Sequence, residues 1–464
     1  MLNKHLVYDV LTIAMSTGGD MAEIFVENTT RDAINMLNGK VEKANWGIDA
    51  GLGLRVIFGT SAIYAYTNNT GEESLLKLAK DAAVAVKASI KRGTAVREVI
   101  TASNMLKFAD SLTVSPEKAG KKKIADLLRA ASCASYEFDP LVTQTTGTYG
   151  HVVQDVLIAN TNGVWAEDRR VRTRVVLQAV ASDGGEKQTG FFAPGAKGGY
   201  EFLETLDFSQ LGKNVAQTAV TMLKADLCPS GRMPVVIDNG FGGVLFHEAC
   251  AHSLEATFVA KGASTFANKL GEQVAASCVN AVDDGTLPGE WGSLNIDDEG
   301  TPTRRNILIE NGILKSYMVD YLNGIKMQTP STGNARRESY RFAPTSRMTN
   351  TYILPGTDTI EEIISSTPEG LYAKQMGGGS VDPASGDFNF AVLEGYMIRN
   401  GKIAEPVRGA TLIGKGHEIL TGIDRVADNF LPGQGMCGSI SGSVPANVGQ
   451  PMIRVKELTV GGRK

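Results

Sequence analysis

The sequence predicts an α+β protein, in which an α/β N-terminal half precedes an antiparallel, β-rich and barrel-like C-terminal half. Helix-like and strand-like runs alternate in the first half, and Asn-Gly hairpin signals recur in the second. The chain has 52 glycines but only 16 prolines, which favours many tight turns. We therefore expect domains at residues 1–228 and 229–464. The first of these should divide into units at about 1–95 and 115–228.

The first unit is predicted to contain two helices with strands between them. Apolar residues at helical spacing indicate a helix over 5–17, and an Ala-, Lys- and Leu-rich run indicates another over 72–92. The intervening strand-like runs, which polar or Gly-containing breaks separate, are 22–27, 32–37, 53–58 and 62–66. Residues 96–114 have weak periodicity and are interpreted as a linker.

The second unit is predicted to begin with a helix and to continue as a long hairpin. Ser115-Pro116 resembles an N-cap followed by proline at the first helical position, and this helix should end near Ala134. The Asn-Gly pair within 160–163 predicts a tight turn between two long strands. Arginines alternate with aliphatic residues over 164–182, which indicates either a half-exposed strand with a solvated face or contact with an anionic partner. A helix is expected near 210–224.

The C-terminal half reads as antiparallel sheet with a few inserted helices. Residues 234–238 look like a buried strand that leads into a helix. Hairpins are predicted at Asn311-Gly312 and at Asn400-Gly401, because the favoured two-residue turn requires two positive φ angles. A short helix is expected over 359–365.

The strongest candidate for a chemical site is the segment GFGGVLFHEACAHSLE at residues 240–255. It holds His247, Glu248 and His252 at what reads as the start of a partly buried helix. Burying two imidazoles and a carboxylate on one turn is costly unless something binds them. A metal ion is the natural ligand for the imidazoles, and the carboxylate is then free to move a proton. The alternative is a pair of unrelated histidines on an ordinary core helix.

The spacing of these histidines makes a further structural prediction. They are five residues apart, which separates them by about 140° on a regular helix. Both can reach one ion only if the helix carries an extra residue, as in a π-bulge, or ends near His252. We therefore predict such a distortion.

A catalytic metal usually has three protein ligands and an open position, so a third ligand is required. Cys437 stands in GQGMCGSISGS, where little side-chain bulk hinders approach, and a thiolate with two imidazoles suits zinc. Residue type alone nevertheless favours a small buried cysteine in a tight loop. Glu248 would be a general base or else a salt-bridge or capping carboxylate. Glu255 would orient a ligand or else be solvated, and Cys250 is interpreted as packing.

Two more stretches have the composition of binding sites. The run NARRESYR at 334–341 includes Arg336 and Arg337, which could hold a substrate carboxylate through bidentate bonds or could form an exposed ion-pair cluster. Gly377, Gly378 and Gly379 offer backbone that no side chain blocks. Such a segment could accept an extended peptide by strand addition, or it could be a flexible turn.

The composition disfavours several classes of protein, namely nucleic-acid-binding, membrane and secreted proteins. A net charge of −4 and a pI near 5.9 give no support for a broad nucleic-acid or anionic-membrane surface. No stretch is long and apolar enough to span a bilayer, and the amphipathic N-terminus with Asp9 in its apolar run argues against a signal peptide. The odd number of scattered cysteines suits a reducing cytoplasm. We expect a cytoplasmic protein without direct nucleic-acid or membrane contact.

With HEACAH, RRESYRFAPTSRMTNTYILPG, the triple glycine and GMCG in view, the chain resembles the TldD branch of the TldD/PmbA metallopeptidases, a family also known as modulators of DNA gyrase. The likeness spans the whole chain and is closest from about residue 234. The resemblance, which includes the HExxxH motif, implies that His247, His252 and Cys437 bind one zinc ion per chain, with Glu248 as the catalytic base. It also implies an α/β N-terminal half and a β-rich C-terminal half.

The resemblance further implies a dimer around a closed cavity, formed either with a second copy or with a PmbA-like homologue. Its substrates would be unfolded or small peptides, including leader segments, bound as an added strand. The chain departs from the family pattern at Ala251, where glycine is usual, and at Ser439-Ile440-Ser441, where a Lys-Asp pair is usual. Neither change removes a ligand, so both bear on substrate range and rate.

Two classes of function follow. The leading hypothesis is a zinc-dependent peptidase. The alternative is a non-catalytic binding or regulatory subunit whose metal is structural or absent. An intact Glu248 favours the peptidase, because a purely structural metal site has no need of a base beside its ligand.

Overall fold

The computed structural model describes residues 2–89, 97–102, 105–110, 120–382 and 385–462. The helices are α1 (Lys4–Met15), α2 (Glu72–Ser89), α3 (Lys121–Phe138), α4 (Glu201–Glu204), α5 (Phe208–Lys224), α6 (Val244–Ala249), α7 (Ala256–Val259), α8 (Tyr321–Met327), α9 (Ile360–Ser365) and α10 (Gly416–Gly422), with 3-10 turns at Gly240–Gly243 and Ala251–Leu254. None of these described helices combines the length and the apolar character needed to cross a membrane.

Strands account for most of the remaining regular structure. In the N-terminal half they are β1 (Met21–Leu37), β2 (Lys40–Phe58), β3 (Ser61–Thr67), β4 (Leu106–Ala109), β5 (Val142–Asn160), β6 (Trp165–Ser182), β7 (Lys187–Phe192), β8 (Gly195–Ala196) and β9 (Asp226–Leu227). In the C-terminal half they are β10 (Gly231–Ile237), β11 (Ala281–Asp284), β12 (Arg305–Glu310), β13 (Ile313–Leu314), β14 (Ala335–Arg336), β15 (Thr345–Ser346), β16 (Asn350–Ile353), β17 (Glu369–Val381), β18 (Asp387–Arg399), β19 (Lys402–Arg408), β20 (Thr411–Lys415), β21 (Ile423–Val426), β22 (Leu431–Ser439), β23 (Gly442–Gln450) and β24 (Ile453–Gly461).

The N-terminal half is built on one eight-stranded sheet with the order β3-β2-β1-β5-β6-β4, to which β7 and β8 add beside β6. The strand runs predicted at 22–27 and 32–37 are parts of the single strand β1. Its side chains alternate between faces. Ile24 and Ile34 pack into the cores beneath the helices, whereas Phe25 packs against Tyr340 of the C-terminal half. The sheet is therefore covered on both faces.

Most helix predictions for this half are confirmed, with shifted ends. The helices predicted over 5–17, 72–92 and 210–224 are α1, α2 and α5, and residues 90–92 lie outside the described part of the chain. The predicted start at Ser115-Pro116 lies outside the described residues, and α3 continues to Phe138, beyond the expected end near Ala134.

The solvated strand face expected over 164–182 is wrong, because β6 is covered by the C-terminal half. Arg170 is buried and pairs with Asp168 at 3.1 Å and with Asp298 at 2.6 Å. Arg172 is also buried and donates to the carbonyl oxygens of Trp291 and Ser293. Arg170 and Arg172 therefore join the two halves, and protein groups already engage both of their guanidinium groups.

The C-terminal half contains the predicted barrel. Strands β17, β10, β24, β20 and β18 pair in sequence, and pairing of β17 with β18 closes the ring. A second sheet has the order β13-β12-β11-β16-β23-β22, which leaves β22 at one edge. Both predicted hairpins are confirmed, since Asn311 and Gly312 have φ of 51° and 79°, and Asn400 and Gly401 have φ of 50° and 70°. The helix predicted over 359–365 is α9, with a capping box.

A buried ion cluster joins the halves beside β1. The guanidinium of Arg55 lies 2.8 Å from Glu23 and 2.6 Å from Glu299, and Arg337 contributes a third contact, 2.7 Å from Glu23. All four side chains are buried. Each charge depends on its partners, since removing one partner from a buried pair leaves an uncompensated charge in a medium of low dielectric constant.

Arg55→Met is therefore expected to lower the free energy of unfolding by about 3–5 kcal/mol, because Glu299 loses its cation and Glu23 keeps only Arg337. Denaturant unfolding followed by circular dichroism would measure this loss. The control is Arg341→Met, which removes a half-exposed pair with Asp49 and should change the free energy by less than about 1 kcal/mol. Equal effects of the two substitutions would contradict the assigned role of Arg55.

Candidate metal centre

The helix α6 ends between the two histidines. It covers Val244–Ala249, and Cys250 then leaves helical geometry with φ of −128° and ψ of −51°. A 3-10 turn over Ala251–Leu254 follows. This break brings the rings of His247 and His252 to a centroid distance of 5.1 Å. The predicted distortion is confirmed, in the form of a helix that ends before the second histidine.

The glycine-rich turn before α6 fixes this helix against the edge sheet. A Cβ atom on Gly243 would lie 2.6 Å from backbone atoms of Gly449 in β23. Only glycine allows that approach. The start of α6 therefore packs directly on the strand that pairs with β22, and β22 carries Cys437.

Cys437 meets both histidines. Its Sγ lies 3.2 Å from Nε2 of His247 and 3.4 Å from Nε2 of His252. All three residues are buried, and their ligand atoms lie within 4.8 Å of one another. The structure thus brings together the three residues for which the resemblance implied a common ion.

These donors fit a zinc ion. Zn–S and Zn–N bonds of about 2.3 Å and 2.1 Å in a tetrahedral site place sulfur and nitrogen roughly 3.6 Å apart, close to the separations found. Burial opposes ionisation of Cys437, but His247 and His252 lower its pKa well below the usual range, which favours the thiolate that metals bind. Cys250 differs, because burial raises the pKa of its thiol, its Sγ donates to the carbonyl oxygen of Gly416, and it packs in the hydrophobic core. The packing interpretation of Cys250 is confirmed.

Glu255 contacts the candidate centre through His252. Its side chain is fully buried, so the solvated alternative is wrong, and its Oε2 lies 3.2 Å from Nδ1 of His252. Burial raises the pKa of Glu255, and the neighbouring His252 and Arg347 oppose that rise. A carboxylate this close to the second ring nitrogen can orient a ligating imidazole.

Glu255→Gln is expected to weaken zinc binding by about 10- to 100-fold, because the amide keeps the size of the carboxylate but loses the charge that polarises His252. Competition with a chromogenic chelator would measure the dissociation constant. Glu362→Gln, which alters only the capping box of α9, is the control. Unchanged affinity in Glu255→Gln would show that Glu255 only fills space.

Glu248 stands beside the cluster. Its side chain is 29% exposed, and its Oε2 lies 3.6 Å from Nε2 of His252. Among the described residues, no lysine or arginine pairs with it, which disfavours the structural salt-bridge interpretation. A carboxylate that reaches both solvent and the centre can exchange protons with water bound there.

A groove of about 890 Å³ is lined in part by residues 431–436 of β22, the strand that also carries Cys437. Its lining includes Met436, the neighbour of Cys437, and two of the three predicted glycines, Gly377 and Gly378. Open space surrounds the position of a Cβ on Gly378, whereas a Cβ on Gly379 would clash with the backbone of β18. Gly378 is thus exposed in the groove, whereas Gly377 is buried against Leu393 and Gly379 lies too close to β18 for any side chain.

The predicted arginine pair lies elsewhere. Arg336 is buried and donates to the carbonyl oxygen of Met348, and Arg337 is buried against Glu23. The exposed ion-pair alternative is wrong for both and holds only for Arg341, which pairs with Asp49. Because protein groups already engage both guanidinium groups, these contacts support a role in joining the halves and give no support to substrate binding.

One supporting residue was missed by sequence reasoning. Arg347 is fully buried, and it donates to the carbonyl oxygens of Cys437 and Gly442 and to Oγ of Ser441. Its Nε also lies 3.8 Å from Glu255. It therefore joins β22, which carries Cys437, to the carboxylate of Glu255, which lies next to His252. Its one signal was its place in the run RRESYRFAPTSRMTNTYILPG, six residues beyond Arg341.

The chain is similar in sequence to known metallopeptidases. Family models for the PmbA/TldA metallopeptidase domain 1, central domain and C-terminal domain match residues 22–86, 115–223 and 230–462. A metalloprotease TldD homolog of Haemophilus influenzae is 36% identical over 470 aligned residues, which cover 99% of this chain and 97% of that protein. A zinc metalloprotease TldD homolog of Saccharolobus solfataricus is 33% identical and covers 57% of this chain and 59% of that protein.

The fold is shared with solved structures. The crystal structure of a proposed modulator of a DNA gyrase from Thermotoga maritima superposes with a TM-score of 0.80 at 22% identity, covering 99% of this chain and all of that one. The domain models and the full-length relative carry the stronger evidence, because they match in sequence. The chain belongs to the PmbA/TldD family of metallopeptidases.

Proposed function

We propose that this chain is a zinc-dependent peptidase that hydrolyses unfolded or small peptides. The observation that carries the proposal is the convergence of His247, His252 and Cys437 on one buried point, with the accessible carboxylate of Glu248 at its side. A purely structural zinc site needs the ligands but not the adjacent base. The name of the Saccharolobus solfataricus relative supports zinc as the metal.

The residues of the proposed centre have three roles, as metal ligands, as a general base and as positioning residues. His247, His252 and Cys437 would hold one zinc ion, which when bound supplies Lewis-acid activation of water and of the peptide carbonyl. Glu248 accepts a proton from the attacking water and delivers it to the amine nitrogen as the peptide C–N bond breaks. Glu255 holds the His252 ring in place. Arg347 fixes the backbone of Cys437.

The substrate proposal rests on the groove. Gly378 exposes its backbone there, and β22 is an edge strand. An extended peptide, such as a leader segment, can bind to such backbone by strand addition, whereas a folded protein cannot. We place this peptide in the cavity of a dimer, formed with a second copy or with a PmbA-like homologue. The compartment we propose is the cytoplasm, without direct nucleic-acid or membrane contact.

Metal removal tests the proposal. The purified protein is expected to contain about one zinc per chain by mass spectrometry and to cleave an unfolded fluorogenic peptide. A chelator should abolish cleavage, and stoichiometric zinc should restore it. Zinc bound without cleavage would instead favour the regulatory-subunit alternative, and failure to bind zinc after reconstitution would refute the centre.

A further inference from the structure

The groove contains a cation that no carboxylate of the described chain neutralises. Arg174 projects from β6 and lines the groove. Its Nη2 donates to the carbonyl oxygen of Gln434 at 3.1 Å, and its guanidinium carbon lies 5.5 Å from the ring centroid of Trp291. Its Nε is buried without an acceptor. Burial lowers the pKa of Arg174, and no neighbouring charge opposes that shift.

The other charged groups that line the groove neutralise each other. Lys374 lies 2.7 Å from Glu394, which also accepts hydrogen bonds from Tyr396 and Thr218. Arg174 is partly buried, and a partly desolvated cation without a counterion is stabilised when a ligand supplies the opposite charge. The two aromatic residues Phe191 and Phe192 are partly exposed in the same lining, so the groove also offers apolar contact.

The position of Arg174 relates it to the metal centre. Gln434 precedes Cys437 by three residues on β22, a span of about 10 Å in an extended strand. A peptide that lies along β22 therefore passes Arg174 about three residues before or after it reaches the centre. This geometry gives one charged subsite at a fixed distance from the bond to be cleaved.

We propose that Arg174 is a specificity-determining residue that binds a carboxylate of the peptide, about three residues from the scissile bond. The proposal rests on the peptidase function proposed above. The carboxylate is either the C-terminus of the peptide or an Asp or Glu side chain, and both present the planar anion that a guanidinium recognises. The substrate class is thus an extended peptide with one anionic anchor and apolar neighbours.

The test measures peptide binding to the Glu248→Gln protein by fluorescence anisotropy. One labelled peptide is neutral and amide-terminated, a second has a free C-terminal carboxylate, and a third series is amide-terminated with a single Glu moved along the sequence. A carboxylate peptide is expected to bind about 10- to 100-fold more tightly than the neutral one. The peptide that binds more tightly identifies the source of the carboxylate, either the C-terminus or a Glu side chain.

Arg174→Gln in the same background should abolish the preference, and Arg174→Lys should retain part of it. The matched control is Lys374→Met with Glu394→Gln, which removes a neutral pair from the same groove and should leave the preference intact. Equal binding of neutral and carboxylate peptides, a preference that survives Arg174→Gln, or no binding of any peptide would overturn the proposal. Hydrolysis by the wild-type protein is measured separately, so failure of the peptidase function is distinguishable.

Discussion

Glu248→Gln is expected to reduce peptide hydrolysis by at least about 100-fold while zinc stays bound. The amide keeps the size of the carboxylate but cannot accept the proton of the attacking water, and general-base catalysis typically supplies 10²- to 10⁴-fold. Because Glu248 is outside the group of three buried donors, its substitution leaves the ligands in place. Steady-state cleavage of an unfolded fluorogenic peptide, with zinc measured on the same sample, would check both halves of this expectation.

Glu361→Gln is the control for this experiment, since Glu361 lies in the exposed first turn of α9. It should retain wild-type cleavage. Substantial hydrolysis by Glu248→Gln would assign the base to another group, and loss of zinc together with activity would mean that Glu248 supports the centre itself.

Cys437→Ala is expected to lose zinc. It removes the one donor that contacts both histidines, at 3.2 Å and 3.4 Å, and leaves two imidazoles that cannot complete a tetrahedral site. The loss of affinity should exceed the 10- to 100-fold that removal of a supporting partner costs. Zinc content after dialysis, together with a chelator titration, would measure it.

Cys250→Ala separates this effect from a general disturbance of the core. Both cysteines are buried, but Cys250 contacts a carbonyl oxygen and no histidine. This variant should keep about one zinc per chain. Equal zinc content in the two variants would show that Cys437 is not a ligand.

Local signals in the sequence predicted the elements well. Both Asn-Gly turns adopt the two positive φ angles that this hairpin needs, and the short helix expected over 359–365 is α9. The five-residue spacing of His247 and His252 was also sufficient to predict a break in the helix. Such features depend on a few adjacent residues, so an isolated sequence contains the required information.

Features that depend on distant contacts were not predictable in this way. The alternation of arginines on β6 looked like a solvated face, because nothing local shows that the C-terminal half covers it. Arg336, Arg337 and Arg347 likewise have partners scattered along the chain. Residue type alone favoured Cys437 as a simple packing residue. Cys437 and His247 are nearly two hundred residues apart in the sequence. They come together because β22 pairs with β23, on which the start of α6 packs.

The edge position of β22 has a thermodynamic consequence. One donor of the centre belongs to a strand that a single neighbour holds, and edge strands open more readily than central ones. Cys437 can meet the histidines only when this strand is in register. The free energy of metal binding would therefore include the free energy of ordering β22. In the proposed centre, a bound ion would stabilise the strand, and opening of the strand would release the ion. Turnover and metal retention would then both depend on the nine residues Leu431–Ser439.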